Sequence, residues 1–249
     1  MHDLKGKTAL ITGASAGLGA HFARVLGEAG ANLILAARRI DALERMAAEI
    51  RWHCQVEVNI LTLDVADSAS VARAFEAIGS VQVLVNNAGV VRSAAALDQS
   101  EEDWDSVIGT NLKGAFLVAQ AAAKVMRASG KGGSIINVAS ILGVRQAGAV
   151  LPYAVSKAGV IQMTKVLALE LARFGIRVNA LVPGYFDTDL NRQFWGTEAG
   201  KALIGRVPQR RLGQLSELDG PLLLLASDGS SFMTGATLAV DGGHLVSSL

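Results

Sequence analysis

The chain has 249 residues, 51% of them hydrophobic and only 18% charged. So much apolar side chain with so little charge excludes a disordered chain and points to surface buried between copies of the protein. The net charge of +1 speaks against a nucleic-acid partner, and the lone Cys54 excludes an internal disulfide or a cysteine metal cluster. No apolar run reaches the roughly 18 residues of a membrane helix. The opening MHDLKGKTALITGAS holds no signal-peptide stretch before the first patterned element. These features predict a soluble, cytoplasmic protein that works without a membrane.

Short apolar runs alternate with amphipathic stretches. Strands are expected at Thr8–Thr12, Asn32–Ala36, Val56–Leu63, Val81–Asn86, Ser134–Val138, Arg177–Val182 and Thr237–Val240. TALIT, LILA and VQVLV are nearly continuous apolar runs, as strands buried on both faces require. Helical patterns fall between them at Gly17–Ala29, Asp41–Arg51, Ser68–Ile78, Glu101–Ser129, Tyr153–Phe174 and Ser216–Ser227. Pro221 in the last of these delays its start or bends its first turns. Repeated strand–helix–strand order predicts an α/β fold: a doubly wound parallel sheet of seven strands with helices on both faces. No linker, charge block or repeat divides the chain, so residues 1–249 form one domain. The stretch Tyr185–Leu212 breaks the rhythm, and an insertion of that length is expected to be a substrate lid.

The first strand runs into Gly13-Ala14-Ser15-Ala16-Gly17-Leu18-Gly19 and then a helix. Glycines there permit a sharp turn and let backbone N–H groups and a helix N-terminus approach a pyrophosphate. The spacing is GxxxGxG, and its value as a signal comes from the strand before it and the helix after it. In NAD-binding folds an acidic residue about twenty positions on binds the ribose 2′-hydroxyl. Here the second strand ends Ala36-Ala37-Arg38-Arg39, with no carboxylate. Arginine can hold the 2′-phosphate of NADP through charged hydrogen bonds, so NADP(H) is expected over NAD(H). The plainer alternative is a pair of solvated loop arginines.

Tyr153 and Lys157 share one face of a predicted helix, Ser140 follows the fifth strand, and Asn111 sits inside a helical pattern that does not favour it. Each has a dull explanation taken singly. Together with TGASAGLG (Thr12–Gly19), Leu63-Asp64-Val65, Asn86-Asn87-Ala88-Gly89, Tyr153-Ala154-Val155-Ser156-Lys157, Pro183-Gly184 and Asp241-Gly242-Gly243 they form an ordered set. In that set the chain resembles the short-chain dehydrogenase/reductase family over nearly its full length.

The resemblance implies a Rossmann-type fold and a hydride transfer that interconverts a ketone, or a 3-oxoacyl group, and a secondary alcohol. It makes Tyr153 the acid/base and Lys157 the ligand of the nicotinamide ribose that lowers the tyrosine pKa. Ser140 would hydrogen-bond the substrate oxygen, and Asn111 would hold a water in a relay through Lys157. Free tyrosine titrates near 10, so a shift of about three units, roughly 4 kcal/mol, is needed at neutral pH. On the cofactor side the resemblance assigns Gly13, Ser15, Gly17, Leu18 and Gly19 to the phosphates and Arg38 and Arg39 to the 2′-phosphate. Asp64 and Val65 fall at the adenine, and Asn87, Ala88 and Gly89 along the adenosine ribose. Pro183, Gly184, Phe186 and Thr188 fall at the nicotinamide and pyrophosphate. It also implies a homotetramer, and no metal. Ala16 stands where many NADP-dependent relatives carry a basic residue, which leaves more of the preference to Arg38.

Two other readings compete. A non-catalytic dinucleotide-binding regulator would be free to lose Tyr153, Lys157 or Ser140, and all three are present. A sugar-nucleotide epimerase usually carries a further C-terminal substrate domain. An acyl-carrier substrate would want basic residues where Lys131 and Phe174 stand, and only the first is basic. Leu142, Val144, Arg145, Leu151, Tyr185, Phe194 and Trp195 are the pocket candidates. Their mostly apolar character leads us to expect a hydrophobic ketone rather than a sugar. None of His2, His21, His53 and His244 is given a metal or catalytic role.

Overall fold

A computed structural model describes residues 3–188 and 192–247. Its strands are β1 (Thr8–Thr12), β2 (Asn32–Ala37), β3 (Val58–Thr62), β4 (Val83–Asn86), β5 (Gly133–Val138), β6 (Ile176–Pro183) and β7 (Thr237–Val240). They form one sheet in the order β3-β2-β1-β4-β5-β6-β7, every pair parallel. The helices are α1 (Gly17–Glu28), α2 (Ile40–Cys54), α3 (Ser68–Glu76), α4 (Glu101–Ile108), α5 (Ala115–Ser129), α6 (Leu151–Leu171), α7 (Arg192–Trp195), α8 (Glu198–Ile204) and α9 (Asp219–Ala226).

The continuous apolar strands are central because a parallel sheet with helices on both faces offers no solvated side. β4 is buried at every position, between β1 and β5. On one face Phe22 and Leu26 of α1, Leu43 and Ile50 of α2, and Leu222 and Leu225 of α9 form a single core. On the other, Val71 of α3, Val118, Ala122 and Met126 of α5, and Ala168 of α6 form a second. Each fully buried side chain of this size contributes about 1.5–3 kcal/mol. His21 of α1 lies 2.6 Å from Asp219 of α9, so a polar contact seals that layer at its rim.

Three elements differ from their sequence patterns. The run Glu101–Ser129 is not one helix, because a π-helical turn at Gly109–Gly114 separates α4 from α5. The third strand starts at Val58, because Gln55 ends α2 in a left-handed conformation at φ 54°. The last helix begins at Asp219 after a 3₁₀ turn over Leu215–Leu218. Pro221 falls in its first turn, where the missing N–H has no intrahelical acceptor to lose.

The strand order reverses between β1 and β4, since β2 and β3 lie to one side and β5 to β7 to the other. At such a switch the loops at the strand C-termini part and leave a crevice. Among the described residues no helix is long and apolar enough to cross a membrane.

Candidate active site

The loop from β1 to α1 is shaped by close backbone approach. Gly13 and Gly17 have φ of 66° and 55°, which other residues rarely adopt. A Cβ on Gly19 would stand 2.3 Å from the Gly13 carbonyl oxygen and 2.6 Å from Asn87 Nδ2, so only glycine fits. Asn87 Nδ2 donates to the Thr12 carbonyl at 2.9 Å, and the Thr12 hydroxyl accepts from the Asn87 and Ala88 N–H groups at 2.9 and 3.0 Å. The ends of β1 and β4 are thereby locked across the crevice. Ala16 precedes α1 and offers no side-chain cap. The first-turn N–H groups therefore suit an anion.

Arg38 and Arg39 are both exposed at the end of β2. Arg39 turns back to the glycine loop and donates to the Ser15 hydroxyl at 3.1 Å. Leu18 packs on the core beneath the loop. Asp64 follows β3, and its carboxylate accepts from Ala66 N–H at 3.0 Å. Val65 is buried against Gly114, where a Cβ would meet it at 2.9 Å. A Cβ on Gly89 would lie 3.3 Å from Asn111 Oδ1 and 3.7 Å from Lys157 Nζ, so this loop runs beside the candidate catalytic groups. Pro183 ends β6, and the Gly184 N–H donates to the Val240 carbonyl. Phe186 is buried with its ring against Gly213, so its side chain serves the core rather than the crevice. Thr188 is half-buried at the edge of the described residues.

Ser140 stands just past β5, where its hydroxyl accepts from the Leu142 N–H at 3.1 Å. Tyr153 and Lys157 lie one turn apart at the start of α6. Lys157 Nζ donates to the Val138 carbonyl at 2.8 Å and lies 5.5 Å from the Tyr153 ring centre. Gly143 lets the Ser140 loop press on α6, because a Cβ there would stand 2.6 Å from the Lys157 carbonyl carbon. Burial lowers the Lys157 pKa to about 8. Burial pushes the Tyr153 phenol up, and the Ser140 hydrogen bond draws it down.

Asn111 is buried in the π-helical turn. Its Oδ1 accepts from Val90 N–H at 2.8 Å, and its Nδ2 donates to the Val90 carbonyl at 2.9 Å and to Ser156 Oγ at 3.2 Å. Both Nδ2 hydrogens and one acceptor site of Oδ1 are used in joining three elements.

The pocket differs most from its sequence reading. A cavity of about 330 Å³ is lined by Arg145, Gln146, Ala147, Gly148, Tyr185, Leu203, Arg206 and His244. Of the seven pocket candidates Arg145 and Tyr185 line it, and Arg206 and His244 add polar groups to walls that are otherwise mostly apolar. Phe194 and Trp195 instead stack edge to face, at 5.0 Å between ring centres, and Trp195 meets Tyr185 at 5.4 Å. His244, set aside in the sequence, is 4% exposed and lies 5.3 Å from Tyr185. Its Nδ1 and the Trp195 Nε1 have no hydrogen-bond partner among the described residues. Burying such a group unpaired costs about 1–3 kcal/mol, so a partner from outside the chain is favoured. The only sequence signal for His244 was its place after Gly242-Gly243, whose φ of 62° and 87° turn the chain inward. Arg206 was missed because nothing local distinguishes it from other exposed arginines.

A family model described as enoyl-(acyl carrier protein) reductase matches residues 13–244. The chain is 39% identical to 2-dehydro-3-deoxy-D-gluconate 5-dehydrogenase of Escherichia coli, over 98% of this chain and 97% of that one. It is 38% identical to 3-oxoacyl-[acyl-carrier-protein] reductase of Thermotoga maritima, over 98% and 99%. Among solved structures, a gluconate 5-dehydrogenase from Burkholderia cenocepacia in complex with NADP and tartrate superposes with a TM-score of 0.95. It shares 38% identity and covers 99% of this chain and 98% of its own. With these matches along its length and the parallel sheet they accompany, the chain belongs to the short-chain dehydrogenase/reductase family of oxidoreductases.

Proposed function

We infer that the protein is an NADP(H)-dependent oxidoreductase that interconverts a secondary alcohol and a ketone, with Tyr153 as acid/base. The observation that carries this reading is the placing of Tyr153 and Lys157 one turn apart on α6, with Lys157 Nζ 5.5 Å from the Tyr153 ring centre and Ser140 acting on the same phenol. The glycine cradle, the uncapped start of α1 and the two arginines after β2 fit a dinucleotide with a 2′-phosphate. Several solved relatives carry NADP in their structures, which supports the same choice.

When bound, the nicotinamide accepts or supplies the hydride. The chain's own groups manage the proton. A substrate oxygen seated between the Ser140 and Tyr153 hydroxyls would hydrogen-bond both. In oxidation the Tyr153 phenolate oxygen takes the alcohol proton, and in reduction the phenol returns it. With its pKa lowered by burial to about 8, Lys157 still favours the cation at neutral pH. Its charge favours the phenolate, and the Val138 carbonyl fixes its position. Ser140 donates to the developing oxyanion. Asn111 braces the Val90 strap and Ser156, one residue from Lys157.

The test is Tyr153→Phe. Turnover should fall by about 10²–10⁴, the usual worth of a positioned acid/base, while NADPH binding changes little because the ring remains. Turnover close to wild type in the folded variant would remove Tyr153 from the chemistry.

A further inference from the structure

Two cations, Arg145 and Arg206, line the 330 Å³ cavity. Arg145 is half-buried and uses one terminal nitrogen on the His244 carbonyl and on Ser247 Oγ, the latter at 2.7 Å. Its other N–H groups make no hydrogen bond, and neither Arg145 nor Arg206 has an ion pair, among the described residues. Both guanidiniums act on His244, whose imidazole titrates lower through burial first and then through Arg145 and Arg206. The nearby acid, Asp241, is already spent: its two oxygens accept from Gly243 and Leu245 N–H groups at 2.9 and 2.7 Å. Among the described residues the buried His244 Nδ1 has no hydrogen-bond partner, and it completes a set of polar groups around the cavity.

The cavity is bounded by segments that adjoin the candidate catalytic residues in the chain. Its floor, Arg145 to Gly148, is part of the loop that joins Ser140 to Tyr153, and its other wall is Tyr185, two residues past Pro183. Its volume is at the low end for small-molecule sites. Resting on the redox reading above, we propose that the substrate is a short hydroxy or oxo acid. Its carboxylate pairs with Arg145 and Arg206, and a neighbouring hydroxyl meets His244. A planar guanidinium matches a carboxylate in charge and shape, and the histidine and Gln146 suit hydroxyls. The anion would hold one end of the substrate while the reacting carbon lies toward Ser140 and Tyr153.

The experiment uses matched pairs of four to six carbons, each an aldonic acid and the corresponding alditol, oxidised with NADP⁺. The acid should be preferred at least tenfold in kcat/KM at each length that turns over. Arg206→Gln, an exposed position at which folding is not at risk, should lower that acid-to-alditol ratio at least fivefold, and Arg145→Gln should lower it further. Equal rates, preference for the alditol, or an unchanged ratio in Arg206→Gln would overturn the assignment. If nothing in the panel turns over, calorimetry on the NADP⁺ complex decides with tartrate, threitol and inorganic phosphate. Tartrate bound at least tenfold more tightly than threitol upholds the anion site even if the redox reading fails. Tartrate no tighter than threitol, or phosphate tighter than tartrate, overturns it.

Discussion

Arg38 and Arg39 stand where the β2 strand leaves the sheet, and only one of them touches the glycine loop. Arg39 is held by Ser15 at 3.1 Å, whereas Arg38 stands exposed directly after the buried Ala37. The proposed 2′-phosphate site uses both, with Ser15 orienting the second guanidinium. Converting Ala37→Asp and Arg38→Gln together replaces an attraction with a repulsion beside the phosphate. A lost charged hydrogen bond of about 1.5–3 kcal/mol should raise the NADPH Michaelis constant at least tenfold. NADH should change little or improve, because a carboxylate can accept from its ribose hydroxyl. Specificity constants for both cofactors check this, and a double variant that still prefers NADPH would show that Arg38 does not read the phosphate. The missing acid after β2 was legible from sequence because it is a local, chemical fact. The pairing of Arg39 with Ser15 was not, since it spans 24 positions and depends on how the loop folds back. The cationic cavity was hidden for the same reason: Arg145, Arg206 and His244 meet only when three loops close.

The segment after β6 is the element whose role the proposed chemistry most needs. Residues 189–191 of the expected lid at 185–212 lie outside the described residues. The rest is anchored at both ends. Gly213 N–H donates to the Tyr185 carbonyl at 2.9 Å, and Asp187 N–H donates to the Gly213 carbonyl at 3.2 Å. Between them α7 and α8 pack tightly, since a Cβ on Gly200 would stand 2.3 Å from the Phe194 carbonyl oxygen. Leu203 and Arg206 carry one wall of the cavity. We propose that this pair of short helices closes as a unit on a filled site. Hydrogen exchange over 198–212 should slow at least threefold when NADPH and a substrate acid are added, and equal protection in both states would make it a fixed wall. The strands and most helices were readable because burial on both sheet faces writes itself as apolar runs. The π-helical turn at Gly109–Gly114 was not, because the apolar spacing continues through it. Asn111, a poor helix former in mid-helix, was its one mark in the sequence.

At the scale of the whole molecule, one helix is out of balance with its surroundings. α6 buries Val160, Ile161 and Ala168 against the sheet, yet Leu169 is 82% exposed, and Val155 and Val166 are also exposed. A helix apolar on both sides is ordinarily buried on both sides. Phe116 on α5 and the fully exposed Phe232 before β7 add apolar surface elsewhere on the protomer. The low charge content of the chain points the same way. We propose a homotetramer with closed two-fold symmetry, in which α5 and α6 pair with their copies along one axis. Around a two-fold axis each residue near it faces its own copy, so a single substitution is felt twice. Val166→Arg would set two like charges together in a desolvated interface. The wild type should show a tetrameric mass by light scattering at micromolar concentration, and Val166→Arg should shift it to dimers or monomers. The protomer core lies on the opposite side of α6, so the variant should keep its far-UV circular dichroism. A monomeric wild type would contradict the assembly, and a variant that stays tetrameric would move the interface away from α6. Because Tyr153 and Lys157 lie on the same helix, the dissociated variant should also lose turnover if pairing holds α6 in place.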